Sequence, residues 1–174
     1  MSEPVVTALL ALLVLLAAVA VAAADLLVAA IALGAYGFVL ALIWAAIGAV
    51  DVAFTEAVVG AGATTVFFLA ALLRTSRRRS PVPGPLRWGA LAVALATGGA
   101  LLAVAAALPP WGDPTAPAAT HVSPRYLEGA VAETATPNAV TAVLADYRSY
   151  DTLVETLVIF TAGLGGWLLL GRPR

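Results

Sequence analysis

The sequence has no cysteine, no lysine and a single histidine, His121. The lack of cysteine excludes disulfides, thiolate zinc sites and iron–sulfur ligation by this chain. Charged residues make up only 11% of the 174 residues, whereas a soluble domain has about 25%. The net charge of −1 gives no reason to expect binding to nucleic acid. His121 stands in a proline-rich stretch, where we expect a solvated surface residue.

Hydrophobic residues are abundant, at 62% of the chain, compared with about 45–50% in soluble domains. A soluble fold of this length has too little interior to bury them, so lipid is the alternative solvent. Apolar runs of about 20 residues predict membrane spans, and lipid requires each span to satisfy its own backbone groups. We therefore predict an all-α polytopic membrane protein with about five transmembrane helices. Their ranges are 5–24, 26–48, 52–73, 88–108 and 152–170.

The arginines predict how these spans are oriented. Most of them crowd the connection between the third and fourth spans, and two more end the chain. Basic residues near span ends favour the cytoplasm, so we predict an external N-terminus and a cytoplasmic C-terminus. Binding of anionic lipid is the functional alternative for this cluster, although the topology interpretation is favoured. The cluster between the third and fourth spans consists of Arg74, Arg77, Arg78, Arg79 and Arg87. The two arginines at the end of the chain are Arg172 and Arg174.

The spans group into two domains, 1–80 with three spans and 81–174 with two. A stiff linker is predicted at 80–85, since proline and glycine punctuate structure. The external segment between the last two spans starts with a proline-rich, irregular stretch at 108–120.

A short amphipathic helix is predicted near the end of this external segment. Thr136 is the expected cap and Pro137 the expected first helical residue. The helix is expected to lie at the membrane surface or on a partner. Its apolar stripe is Val140, Val143, Leu144 and Tyr147.

The third span carries two acidic residues. Asp51 is a natural N-cap, and that role is about as well supported as a functional one. Glu56 lies roughly 7 Å further along the axis, beyond the cap positions. A carboxylate inside a membrane is costly unless it faces a wet cavity or a partner charge. We therefore predict a role for Glu56 in proton or cation exchange, with snorkelling to the interface as the alternative.

A stretch of small residues follows Glu56. Small residues allow close helix packing, and they also suit a π-bulge in which Thr64 and Thr65 bond released carbonyls. Composition alone favours plain packing. The residues concerned are Gly60, Ala61, Gly62, Ala63 and Thr64.

A second acidic group stands where the last span begins. Asp151 and Glu155 are four residues apart and share a helix face. Thr152 and Glu155 also match a capping box, so a structural and a functional role are evenly supported. Arg148 is close enough to pair with either carboxylate. The predicted topology places this group and the carboxylates of the third span in the same external layer.

Two stretches resemble a known family. Residues 24–72 resemble the MbhD-type domain, which is found in the large A subunit of Mrp-type Na⁺/H⁺ antiporters and as a separate subunit of membrane-bound hydrogenases. Residues 136–164 resemble the MbhE-type segment, whose motif reads close to N-x-V-x-x-x-L-x-D-[FY]-R-[GS]-[FY]-D-T-x-x-E. A weaker resemblance extends to the complex I subunit with a π-bulge in its third span, here expected at 60–63. Residues 109–136 resemble nothing.

The resemblance assigns roles residue by residue. Asp51 and Glu56 match the "PDVAxTE" carboxylates. The chain departs from the family at three positions that affect turns more than charge, so the roles are retained. These three positions are Val50, Ser149 and Val154. The residues that match the second motif are Asp146, Arg148, Asp151 and Glu155.

The resemblance implies a subunit of an ion-translocating complex in the inner membrane of a prokaryote. The expected partners are other membrane subunits, especially a large antiporter-like subunit, together with the lipid bilayer. This chain has no lysine and is not expected to be such a large subunit itself. It is expected to supply Glu56, Asp51, Asp151 and Glu155 to a path for Na⁺ or protons, without any cofactor.

Two alternatives remain open at this point. The same module occurs in hydrogenases and other redox complexes, whose metals would lie on other subunits. The chain could also be a structural adaptor whose carboxylates serve as caps and interface pairs. No nucleophile–base pair, phosphate loop or metal cluster is visible in the sequence, so we do not expect an enzyme.

Overall fold

The computed structural model describes residues 3–79, 84–110 and 112–171. Helices account for 82% of the structure, and the described residues contain no strand. Five helices are long and apolar enough to cross a membrane. The prediction of an all-α protein with five spans is therefore confirmed. The orientation of the termini stays a prediction.

The five spans lie close to their predicted ranges. The first, second, fourth and fifth spans are the helices α1 (Glu3–Ala22), α2 (Leu26–Ala46), α5 (Gly84–Ala107) and α9 (Ser149–Leu170). The third span has three consecutive parts: α3 (Val50–Thr55), the π-helix π1 (Glu56–Ala63) and α4 (Thr64–Leu72). Between α5 and α9 lie α6 (Pro117–Thr120), α7 (Ser123–Thr134), α8 (Ala139–Ala142) and a second π-helix, π2 (Val143–Tyr147).

The chain forms two compact units, residues 1–93 and residues 94–174. In the first unit α2 is the central element, since it contacts α1 and all three parts of the third span. In the most apolar stretch of α2, 44% of residues are buried, compared with 6% in α1 and in the third span. The buried positions of α2 are mostly small, which allows the helix backbones to approach closely. They include Ala29, Ala30, Ala32, Gly37 and Ala41.

The connection between α1 and α2 is held by Asp25. Its carboxylate caps α2 by accepting a hydrogen bond from the Leu27 N–H, 2.8 Å away, and pairs with the Arg77 guanidinium at 3.0 Å. The Leu27 N–H, followed by Arg77, holds the pKa of Asp25 below its ordinary value. The Arg79 guanidinium donates to the Val21 carbonyl at the end of α1. Part of the arginine cluster thus has structural partners within this unit.

The second unit contains a helix that the sequence analysis missed, α7. It contacts α8 and π2, and Ala130 of α7 and Ala142 of α8 are almost fully buried, at 2% and 1% exposure. The predicted cap at Thr136 is wrong. The cap of α8 is Asn138, whose side chain accepts a hydrogen bond from the Thr141 N–H at 3.0 Å, so Pro137 precedes the helix.

The predicted apolar stripe was expected to face the membrane surface or a partner, and that expectation stays a prediction. Val140 and Leu144 are exposed, at 46% and 52%. The structure changes from α8 to π2 within this stretch, and a π-helix does not keep the 3.6-residue period. Ala142, which the stripe leaves out, is the residue that becomes buried.

The predicted linker at 80–85 is shorter in the structure. Gly84 and Pro85 belong to α5, where a proline in the first turn is well tolerated. Residues 80–83 lie outside the described residues, as do Trp111 of the proline-rich stretch and the terminal arginines Arg172 and Arg174.

Candidate functional site

The centre of the third span is the π-helix π1. At its end the Thr64 N–H donates to the Val59 carbonyl, five residues earlier, which is the bonding pattern of a π-helix. π1 contains the small residues at 60–63 and begins one turn earlier, at Glu56. It also packs against α2. The small residues thus serve both close packing and a non-α conformation, although their composition alone favoured packing.

The Glu56 side chain is half-buried and lies between π1 and α2. A Cβ atom placed on Gly37 of α2 would be 3.1 Å from Glu56 Oε1, and one placed on Gly60 would be 2.7 Å from Glu56 Cδ. Within the described residues, the Glu56 carboxylate accepts no hydrogen bond and forms no ion pair. The structure thus places a carboxylate at the interface of two spans with no counter-charge from the described part of the chain.

Asp51 lies in the first turn of α3, because Ala49 is the N-cap residue. The predicted N-cap role of Asp51 is therefore wrong. Its position still favours a negative charge, since the first turn is the positive end of the helix dipole. The side chain is exposed.

The threonines after the small residues do not bond to carbonyls as expected. In the described part of the chain, neither the Thr64 nor the Thr65 hydroxyl makes a hydrogen bond. Thr65 instead packs against α2, where a Cβ placed on Gly34 would meet its Oγ1 at 2.5 Å. The Thr55 hydroxyl, at the end of α3, does bond to backbone carbonyls, with Asp51 O at 3.2 Å and Val52 O at 3.0 Å.

The second acidic group surrounds the start of α9. Arg148 is the N-cap residue, and its Nε donates to Asp151 Oδ2 at 2.6 Å. Of the two carboxylates open to Arg148 in the sequence, the structure therefore selects Asp151. The predicted capping box is wrong, because Thr152 lies inside the helix and its hydroxyl donates to the Leu144 carbonyl at 2.7 Å. Glu155 lies one turn after Asp151 on the same helix.

Asp146 belongs to π2 and is exposed. Among the described residues neither Asp146 nor Glu155 forms an ion pair. Both therefore remain available to cations or to charged groups of a partner. These two residues, with Arg148 and Asp151, belong to the second unit, whereas Asp51 and Glu56 belong to the first.

A side-chain network on α7 was missing from the sequence analysis. The Arg125 guanidinium pairs with the Glu133 carboxylate, with nitrogen–oxygen distances of 2.5 and 3.1 Å. The Tyr147 hydroxyl of π2 donates to the same carboxylate at 2.7 Å, and its ring lies 4.9 Å from that of Tyr126. Arg125, followed by Tyr147, lowers the pKa of Glu133, while Glu133 raises the pKa of Tyr147. This network ties α7 to π2, which leads into the second motif.

The described residues contain no group of three or more His, Cys, Asp or Glu side chains that could hold a metal ion. The arrangement instead offers single carboxylates near or within spans. Two of them, Glu56 and Asp146, belong to π-helices. Such groups can bind and release a monovalent cation or a proton.

Two family models match the chain. The MbhD model, which represents the D subunit of MBH, matches residues 11–77. The MbhE model, which represents the E subunit of MBH, matches residues 86–174. The second match runs through 109–136, where the sequence analysis found no resemblance. Comparison with curated proteins gives no significant match.

One solved structure, that of the Mrp complex from Dietzia sp. DQ12-45-1b, contains a similar chain. The TM-score is 0.83 and the sequence identity is 33%. The match covers 95% of this chain and 18% of that chain. This chain thus spans less than a fifth of the length of the chain that it resembles.

Proposed function

The chain belongs to the MbhD/MbhE-type, Mrp-related family of membrane subunits, and from this premise we propose that it contributes acidic residues to the ion path of a multi-subunit Na⁺/H⁺ antiporter complex. It acts as a transport subunit without a catalytic site or cofactor of its own. The transported species are protons and a cation, for which Na⁺ is the candidate. We propose the inner membrane of a prokaryote as the location of the complex.

One observation carries this proposal: the Glu56 carboxylate lies within a span, at the junction of π1 and α2. Desolvating an ionised carboxylate costs several kcal/mol or more unless a partner or water compensates. The described residues supply no partner charge to Glu56. A cation or a proton would compensate that cost and fits an ion path, whereas a charged group of another subunit would also fit the adaptor alternative.

The surfaces of the spans support assembly with other membrane subunits. In their most apolar stretches, no residue of α5 or α9 is buried within the chain, and only 6% of the third span is. These surfaces are available to lipid and to neighbouring helices. A large antiporter-like subunit is the proposed neighbour, because this chain has no lysine to complete a polar axis by itself.

The proposed mechanism is electrostatic. A cation that binds near Glu56 stabilises its ionised form and so favours release of its proton. The reverse exchange follows when the cation leaves. The non-α backbone of π1 is the element proposed to rearrange during exchange, since π-helical turns often mark functional sites. Asp51, Asp151 and Glu155 are proposed to draw cations towards the path.

The experiment is cation-dependent proton transport in inverted vesicles that contain the whole complex. The wild type is compared with Glu56→Gln at equal amounts of assembled complex. We expect pH recovery on addition of Na⁺ to disappear in the variant, since Gln keeps the shape of the side chain and removes its charge. Normal recovery in assembled Glu56→Gln would remove Glu56 from the ion path and leave the adaptor function as the better account.

A redox-linked complex is the second candidate, because both matching family models represent MBH subunits. In that case the same carboxylates would serve a pump driven by electron transfer on other subunits. Purification of the native complex distinguishes the two. Co-purifying iron–sulfur or hydrogenase subunits would favour the redox-linked complex, and their absence from an active complex would favour the antiporter.

A further inference from the structure

Two glycines on neighbouring helices face the Glu56 carboxylate, Gly37 of α2 and Gly60 of π1. We call this pair the glycine slot. Gly37 is buried and Gly60 is half-buried. Both stand inside helices, where glycine is a poor helix former, so a requirement other than helix formation must explain them.

Gly37 has no room for any side chain. A Cβ at this position would lie 2.9 Å from the backbone nitrogen of Ala61 and 3.0 Å from the carbonyl carbon of Gly60. Both atoms belong to the backbone of π1 and cannot move without moving the π-helix. The same Cβ would lie 3.1 Å from Glu56 Oε1.

Gly60 is restricted by a different neighbour. A Cβ there would lie 2.7 Å from Cδ and 3.3 Å from Oε2 of Glu56. The obstacle is therefore the carboxyl group of Glu56, which reaches forward along its own helix by one turn. An alanine at position 60 would force this group to leave its place, while the charge of Glu56 would be unchanged.

Gly34 provides the internal comparison. It lies one turn from Gly37 on the same helix, and the three atoms nearest to a Cβ there all belong to the Thr65 side chain, with Oγ1 at 2.5 Å. We expect Thr65 to relieve that contact by rotation about χ1, because threonine has two accessible rotamers in a helix. An alanine at Gly34 is therefore expected to displace a side chain and to leave the backbone of π1 and the Glu56 carboxylate in place.

We propose that Gly37 and Gly60 are positioning residues, which hold the Glu56 carboxylate in the interface between α2 and π1. The slot limits the carboxylate to one location, where an approaching proton or monovalent cation meets it. For its effect on transport this inference rests on the proposed function. The placement of the carboxylate by the two glycines does not depend on it.

The first test is transport by the whole complex carrying Gly37→Ala, Gly60→Ala or the control Gly34→Ala. Misplacing a reacting group by about 1 Å can reduce a rate by about 100-fold. We expect at least about a tenfold loss of cation-dependent proton transport in Gly37→Ala and Gly60→Ala, and near-normal transport in Gly34→Ala, all at equal assembly. Transport in both slot variants equal to that of Gly34→Ala would overturn the inference. If Gly37→Ala does not assemble, Gly60→Ala decides.

The second test does not depend on transport. It is a double-mutant cycle on the thermal stability of the assembled complex, with Gly60→Ala introduced into the wild type and into Glu56→Ala. We expect Gly60→Ala to lower the melting temperature in the wild type only. Without the Glu56 side chain, alanine at position 60 should be neutral or stabilising, because it forms helix better than glycine.

The two tests separate this inference from the proposed function. The same effect of Gly60→Ala in both backgrounds would overturn the slot, whatever the transport result. Normal transport in Glu56→Gln together with a clear dependence of Gly60→Ala on Glu56 would disprove the proposed ion path and leave the slot as the device that places this carboxylate.

Discussion

Asp25 shows how one exposed side chain can organise a connection between two spans. It caps α2 through the Leu27 N–H and pairs with Arg77 of the arginine cluster. Backbone hydrogen bonds from Leu26 N to Arg77 O at 2.7 Å and from Arg79 N to Ala24 O at 3.0 Å join the same two segments. The arginines from which the topology is predicted thus also join the end of the third span to the connection between α1 and α2.

We expect both substitutions of Asp25 to lower the stability of the complex, and Asp25→Ala to lower it more than Asp25→Asn. Asparagine can still cap α2, so it loses only the exposed ion pair, which contributes little. Alanine loses both interactions. Thermal unfolding of the complex measures the order, with Glu128→Ala as the control at an exposed position. A melting temperature of Asp25→Ala equal to that of the control would contradict the prediction.

The pH dependence of this effect follows from the lowered pKa of Asp25. A carboxyl group whose pKa is lower in the folded state stabilises the fold above its unfolded value, here 3.8. That contribution is lost as the pH falls through the lower folded value. The difference in melting temperature between wild type and Asp25→Ala should therefore be constant near neutral pH and shrink in acid below about pH 3.8. A difference in melting temperature that grows in acid would contradict the prediction.

At the scale of the elements, both π-helices lie at the acidic motifs. π1 begins at Glu56, and π2 contains Asp146 and ends directly before Arg148. A π-helical turn spaces its side chains differently from an α-helix, and so it can aim a polar side chain away from the continuous apolar face of a span. Each π-helix also adjoins a residue that supports it from another element, Gly37 of α2 for π1 and Thr152 of α9 for π2.

Thr152 connects α9 to π2 through its hydrogen bond to the Leu144 carbonyl. We expect Thr152→Val to destabilise this junction by about 0.5–1.5 kcal/mol, the usual contribution of one hydrogen bond. Faster hydrogen exchange of the amides of residues 143–148 in the assembled complex would show the opening directly.

The matched control is Thr156→Val. The Thr156 hydroxyl donates to the Thr152 carbonyl one turn earlier in the same helix, at 2.8 Å. That carbonyl lies in the helix interior and keeps a backbone partner when the hydroxyl is removed. Equal exchange at 143–148 in both variants would show that Thr152 does not hold the junction.

The α7 network depends on a glycine as well. A Cβ at Gly129 would lie 2.8 Å from an Arg125 nitrogen and 2.9 Å from the Tyr147 hydroxyl. We expect Gly129→Ala to break this network and loosen α7 from π2, although alanine forms helix better than glycine by about 0.5–1 kcal/mol. Limited proteolysis of the segment between α5 and α9 measures the loosening, with Glu128→Ala as the control. A Gly129→Ala protein that resists proteolysis as well as the control would contradict the prediction.

At the scale of the whole molecule, orientation in the membrane is the feature that composition predicts and the fold leaves open. The lack of native cysteine permits a direct test, since any introduced cysteine is the only thiol of this chain. We expect a membrane-impermeant maleimide to label Ser76→Cys from the cytoplasmic side alone and Glu128→Cys from the external side alone. Both positions are exposed. Labelling of each cysteine from the opposite side would contradict the predicted topology. The acidic groups would then lie on the cytoplasmic side of the membrane.

The five spans were determined by the sequence alone. A helix in lipid satisfies its own backbone hydrogen bonds, so a long apolar run is sufficient to predict it without knowledge of its neighbours. The acidic residues of both motifs could also be identified, because a carboxylate close to an apolar run is visible in one dimension. The bounds differed by a few residues, as Gly84 and Pro85 of α5 show.

Only the tertiary structure decided how those carboxylates are placed. The expected caps at Asp51, Thr136 and Thr152 were wrong, because capping depends on where the backbone leaves the helix, and many polar residues nearby could serve. The fit of Glu56 between Gly37 and Gly60 joins α2 to π1, and the network of Arg125, Glu133 and Tyr147 joins α7 to π2. Contacts of this kind depend on the approach of distant backbones, for which a single sequence carries no periodic signal.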